Sequence, residues 1–265
     1  MTVRVEKNGP VTTVINSRPA ARNAVDHATA EALTAAFLEF EADDEALVAV
    51  FWGEGGAFCG GWDLKAASEL AGRDNPLAAL DFAADGSVPR GPMGPSRLQL
   101  SKPVIAAVAG PAVAGGFELA LWCDLRVMEE SAYFGVYCRR WGVPLIDGGT
   151  VRLPRLVGRG RALDLILTGR KLPADEALRI GACDRVVPDG ESRAAAEALA
   201  HGIARFPQGC LRADRASVYA QEGLSALDGL RSEWAISARI VEAEGVAGAR
   251  RFADGLGRHG DFGDI

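Results

Sequence analysis

The densest chemistry in the chain lies between Lys102 and Val127. Val104 to Ala109 is a continuous apolar run that reads as a buried strand. Gly110-Pro111-Ala112-Val113-Ala114-Gly115-Gly116 follows as a turn with little side-chain bulk, and from Phe117 onward the pattern is helical. A helix start aims unpaired backbone N–H groups into the space at the turn. Gly115 and Gly116 let a ligand atom approach that backbone closely. Glu118, one turn inside, is a carboxylate in an apolar segment. Apolar surroundings raise a carboxyl pKa, which suits a group that gives and takes protons near neutral pH. The plainer alternative is that the glycines only permit tight strand–helix packing and that Glu118 caps its own helix.

The same order recurs upstream and downstream. Leu47 to Trp52 reads as a buried strand running into Gly53-Glu54-Gly55-Gly56-Ala57-Phe58-Cys59-Gly60-Gly61-Trp62-Asp63-Leu64. Gly60-Gly61-Trp62-Asp63-Leu64 and Gly115-Gly116-Phe117-Glu118-Leu119 share Gly-Gly-aromatic-acid-Leu, so stacked strand–loop–helix turns would set the two loops side by side. Gly142 to Gly149 is a third glycine turn, carrying Asp147 and feeding a helix to about Val157. Asp147 fits either an N-cap or a chemical role.

The remaining elements position these loops. Val3 to Lys7 and Val11 to Asn16 flank an Asn8-Gly9-Pro10 turn and predict a hairpin. Asp26 predicts the cap of a helix running to about Glu41 with Leu33, Phe37 and Phe40 on one face. Gly72 to Pro95 reads as an irregular excursion with one short helix around Leu77 to Ala84, of the kind that forms lids or binding loops. Leu125 to Met128 and Ala132 to Gly135 read as short strands, Arg159 to Leu167 as a helix stopped at Gly169, and Asp184 to Val187 as a last strand. Beyond Pro188 come four helices: Ser192 to Phe206, Leu211 to Glu222, Leu224 to Glu244 and Val246 to Asp254. The last stretch, Gly255 to Ile265, reads as frayed.

Composition narrows the function class. The 265 residues are 48% hydrophobic, enough for one sizeable α/β core. A formal charge of -6 argues against a nucleic-acid surface. The one basic concentration, Arg152, Arg155, Arg159 and Arg161, fits either a phosphate or a solvated face. Five cysteines without metal-like or paired spacing suggest reduced thiols and no metal site. No secretion signal or run of about 18 apolar residues is present, so the expectation is a cytoplasmic protein without a membrane span.

Taken together, these stretches resemble the crotonase superfamily, the enoyl-CoA hydratase/isomerase family. The likeness rests on Asn16-Ser17-Arg18-Pro19-Ala20-Ala21-Arg22-Asn23-Ala24, Gly56 to Leu64, Lys102 to Gly110, Gly115 to Leu119 and Leu167-Thr168-Gly169, in order along Val3 to Pro188. It implies an α/β fold: a ββα spiral core over residues 1–190, and a helical region over 191–265 that assembles trimers or dimers of trimers. It implies an acyl-CoA substrate, with coenzyme A entering as part of that substrate and no permanently bound cofactor. By the same likeness, the backbone N–H groups of Trp62 and Gly115 bind the thioester oxygen. Arg22, Ala24, Gly60, Gly61, Asp63 and Leu64 line the coenzyme, with Arg22 either pairing with a phosphate or standing as a loop cation. Glu118 matches the first catalytic glutamate of the hydratases. The second falls on Cys138, which cannot orient water as a carboxylate does, and Asp147 is the candidate substitute. Cys138 reads as a buried thiol, since none of His27, His201 and His259 is near it in the chain. The reaction expected is hydration of an enoyl-CoA; double-bond isomerisation by Glu118, Asp147 or both is the alternative, and a non-catalytic acyl-CoA binder the third reading.

Overall fold

The computed structural model describes residues 2–257 and His259. Strands β1 (Val3–Asn8) and β2 (Val11–Asn16) pair antiparallel across the Gly9 turn. Helix α1 (His27–Ala42) starts where Asp26 accepts a hydrogen bond from the Thr29 N–H at 2.8 Å. Strand β3 (Val48–Gly53), helix α2 (Leu64–Ser68), strands β4 (Val104–Val108) and β5 (Pro111–Val113), and helix α3 (Gly115–Trp122) follow. Next come β6 (Leu125–Glu129), β7 (Tyr133–Gly135), α4 (Gly149–Val157), α5 (Arg159–Thr168), β8 (Leu172–Pro173), α6 (Ala174–Ile180) and β9 (Arg185–Val187).

Six strands form one sheet in the order β1-β2-β3-β4-β6-β9, parallel except at the first pair. A smaller sheet, β5-β7-β8, stands beside it. The first two glycine loops therefore each join a long strand of the large sheet, a short extended piece at the small sheet, and then a helix. Successive side chains of a strand point to opposite faces. Ala49, Phe51, Ala106 and Met128 accordingly join a core with Leu33, Phe37 and Phe40 of α1, while Val48, Val50, Ile105, Ala107 and Val127 form a second cluster.

That second cluster is closed by α7 (Ser192–Ala204), whose Ala196 and Ala200 pack directly on the sheet. The first helix past residue 190 thus completes the sheet core. Helices α8 (Gln208–Ala220), α9 (Ala226–Ile240) and α10 (Val246–Ala253) follow, and a π-turn at Val241–Gly245 joins the last two, so the helix expected to run to Glu244 changes its winding after Ile240.

Two local expectations need correction. Pro111–Val113, read as part of a turn, is strand β5, paired with β7. The helix expected around Leu77 to Ala84 contracts to a single 3-10 turn at Ala78–Leu80. The apolar side chains around that turn are not taken into the core, Leu77, Phe82 and Val88 among them standing exposed, so no packing extends the helix. No described helix is long and apolar enough to cross a membrane.

Candidate active site

Backbone pairing draws the glycine loops together. The Val25 N–H donates to Gly61 O at 2.8 Å and the Asp63 N–H to Val25 O at 2.9 Å, a parallel bridge that passes over the Trp62 N–H. Cys59 N–H donates to Pro111 O, and Val113 N–H returns to Cys59 O at 3.0 Å, joining the first loop to β5. Gly61 has φ +93, and a Cβ there would lie 2.9 Å from Ala114 Cβ and 3.2 Å from Gly115 N, so only glycine allows this approach. Gly115 opens α3, where a helix leaves its first N–H groups without an intrahelical partner. Neither the Trp62 N–H nor the Gly115 N–H donates to any described residue, and both residues line one cavity of about 310 Å³.

Glu118 stands in the wall of that cavity, 3% exposed. Its Oε1 accepts from the Asp147 N–H at 2.9 Å and the Gly149 N–H at 2.8 Å. Glu118 therefore ties α3 to the start of α4 rather than capping its own helix, and no described residue bonds Oε2. Burial, reinforced by the negative charge of Asp147, pushes its pKa up to about 7.

Asp147 lines the same cavity and is equally buried. The N-cap of α4 is Gly148, with no side-chain cap, so the capping role considered for Asp147 is not the one it plays. Its Oδ1 accepts from the Met93 N–H at 2.9 Å and from the Ser96 hydroxyl. Burial raises its pKa, opposed by those two donors and by Arg97 and Arg152.

Cys138 sits in the 3-10 turn Tyr137–Trp141 and faces the cavity too. Burial and the nearby Glu118 charge push its thiol pKa up, away from the thiolate a nucleophile needs. Of the residues expected along the coenzyme, Arg22, Ala24, Gly60 and Leu64 line the cavity. Gly61 and Asp63 do not: Gly61 packs behind the loop, and Asp63 caps α2 and pairs with Arg18 at 3.0 Å. The arginine concentration also divides. Arg152 donates to the carbonyls of Asp147 (2.9 Å) and Ser96 (2.7 Å), whereas Arg155 pairs with Glu222.

Met93, Ser96, Tyr137 and Trp141 belong to the site or its support without having stood out in the sequence. Met93 and Ser96 lie at the end of the irregular excursion, whose only cue was its dense Gly-Pro content. Tyr137 and Trp141 flank Cys138, and their aromatic type beside a candidate site was the available cue.

The family model for enoyl-CoA hydratase/isomerase matches residues 6–243. The enoyl-CoA hydratase EchA19 of Mycobacterium tuberculosis is 34% identical over 94% of this chain and 92% of its own. A carnitinyl-CoA dehydratase of Salmonella enteritidis is 39% identical over 76% of this chain and 74% of its own. Among solved structures, the enoyl-CoA hydratase EchA1 of Mycobacterium marinum superposes with a TM-score of 0.86 at 31% identity, over 96% of each chain. An enoyl-CoA hydratase of Mycobacterium tuberculosis H37Rv gives 0.85 at 31% identity, again over 96% of both. This crotonase-fold chain belongs to the enoyl-CoA hydratase/isomerase family.

Proposed function

We propose that the protein hydrates the double bond of an enoyl-CoA. The observation that carries this reading is the convergence of two undonated amides, Trp62 and Gly115, and two buried carboxyl groups, Glu118 and Asp147, on one cavity. Attack of water at the β-carbon moves negative charge onto the thioester oxygen. Fixed N–H donors stabilise that charge more than they stabilise the ground state, and losing one costs about 3–4 kcal/mol in the barrier. Asp147 acts as the carboxylate that takes a proton from water, and Glu118 gives its proton to the α-carbon. Proton exchange between the two carboxyls then resets the site. Arg22, exposed at the cavity mouth, pairs with a coenzyme phosphate. A relative named as a carnitinyl-CoA dehydratase supports the same chemistry, because dehydration is hydration run backwards.

Double-bond isomerisation is the second reading, favoured by Cys138: a neutral thiol there offers water no second anchor on that wall. Crotonyl-CoA separates the two. Hydration removes the ultraviolet absorbance of the conjugated thioester, and both Glu118→Gln and Asp147→Asn abolish that loss while the fold persists. A protein that leaves crotonyl-CoA intact yet brings a 3-enoyl-CoA into conjugation is an isomerase, and the hydration reading falls.

The helical tail belongs to the same proposal. Its exposed apolar side chains are those of a trimer or dimer-of-trimers interface.

A further inference from the structure

We propose that Ser96 is a positioning residue that orients the Asp147 carboxylate toward the substrate; this rests on the catalytic reading of Asp147 above. Ser96 is 1% exposed, and its hydroxyl donates to Asp147 Oδ1, 51 positions away in the chain. The Met93 N–H donates to the same oxygen at 2.9 Å. Both donors hold Oδ1, and no described residue bonds Oδ2, so the free oxygen of a cavity-lining side chain is the one left for chemistry.

The socket is built from both sides. Arg152 of α4 donates to Asp147 O at 2.9 Å and to Ser96 O at 2.7 Å, strapping the two segments together. A Cβ at Gly91 would lie 2.7 Å from Asp147 Oδ1 and run into the Ser96 hydroxyl, so the loop backbone packs directly against the pair. A serine there is not needed to cap α4, whose N-cap has no side-chain partner. The hydroxyl instead holds a carboxylate by a hydrogen bond to its charged form, which keeps that form available as a base.

The titratable and charged groups around Asp147 are Glu118 on α3, Arg152 on α4, Arg97 beside Ser96, Cys59 on the first glycine loop and Cys138 across the cavity. All remain when Ser96 is changed. With crotonyl-CoA as substrate, Ser96→Ala is expected to move the acid limb of kcat/KM upward by about one pH unit. It lowers kcat on the order of ten- to a hundredfold and leaves KM near the wild-type value, because the coenzyme contacts are untouched. Ser96→Thr restores both. Should Ser96→Ala not fold, Ser96→Cys, with its weak donor, is expected to show the same shift. An acid limb that stays at its wild-type position overturns the proposal. Asp147→Asn is run in parallel: full activity there refutes Asp147 as the base, whereas an inactive Asp147→Asn with an unmoved Ser96→Ala profile refutes only the role of Ser96.

Discussion

Glu118 carries opposing demands. Its Oε1 accepts two backbone N–H bonds, which favour the ionised form, yet burial and the Asp147 charge outweigh them and bring the pKa to about 7. A carboxyl whose folded value lies above its unfolded value binds more protons in the native state across the interval between them. Stability therefore falls as pH rises from about 4.5 to about 7. The loss at pH 8 is about 3 kcal/mol by the usual conversion. Glu118→Gln retains an oxygen for the Asp147 and Gly149 amides and removes the titration. It is expected to raise Tm at pH 8 and to leave it nearly unchanged at pH 4, as calorimetry at the two pH values would show. An equal shift at both would mean that the carboxyl is not held protonated. The catalytic counterpart has the same sign: hydration that needs Glu118 as an acid declines as pH passes about 7.

At the scale of elements, the link between β5 and α3 stores strain. Ala114 has φ 54 and ψ -126, a conformation that costs a residue with a Cβ about 1–3 kcal/mol. It is held there because its N–H donates to Gly135 O at 2.8 Å and its carbonyl accepts from Phe117 and Glu118. This turn is what frees the Gly115 N–H. Ala114→Gly relieves the strain but adds freedom to the unfolded chain, a loss of about 0.4–1 kcal/mol. The balance favours the glycine by about 1 kcal/mol, a Tm rise of about 2–4 °C for a chain of this size. A lower Tm in a thermal melt would refute the strain argument. The same element shows how far the sequence could be read. The strand, the glycine bend and Glu118 were legible because apolar runs and side-chain-poor turns leave local marks. Asp147 was visible as an acid on a glycine turn, but capping and a chemical role look identical from one segment. Its partners, the distant Met93 and Ser96, arrive on an excursion without periodicity, seated by tertiary contact. Strand β5 escaped for a related reason: three residues beginning with proline resemble a turn until β7 lies alongside.

For the whole molecule, the distribution of burial is uneven. The sheet core is sealed by α1 on one side and α7 on the other, while α9 and α10 contain no buried residue. The tail is nonetheless anchored to the catalytic unit. Asp124, at the end of α3, accepts from Arg215 and from the Tyr219 hydroxyl of α8 at 2.8 and 2.7 Å, and its other oxygen holds the Val104 N–H at the start of β4. On α9, Leu227, Leu230 and Trp234 are 57%, 62% and 75% exposed. Their spacing of three and four puts them on a single stripe. An apolar stripe of that kind marks an association surface, and a closed ring of identical copies would cover it on each. In the proposed assembly, Trp234→Glu would place a charge on the covered stripe, at a cost of several kcal/mol per copy. Sedimentation is expected to find the wild type as a trimer or a dimer of trimers and the variant as a monomer. A wild-type chain that sediments as a monomer at micromolar concentration would show that α9 faces water by design, and the assembly proposal would fail.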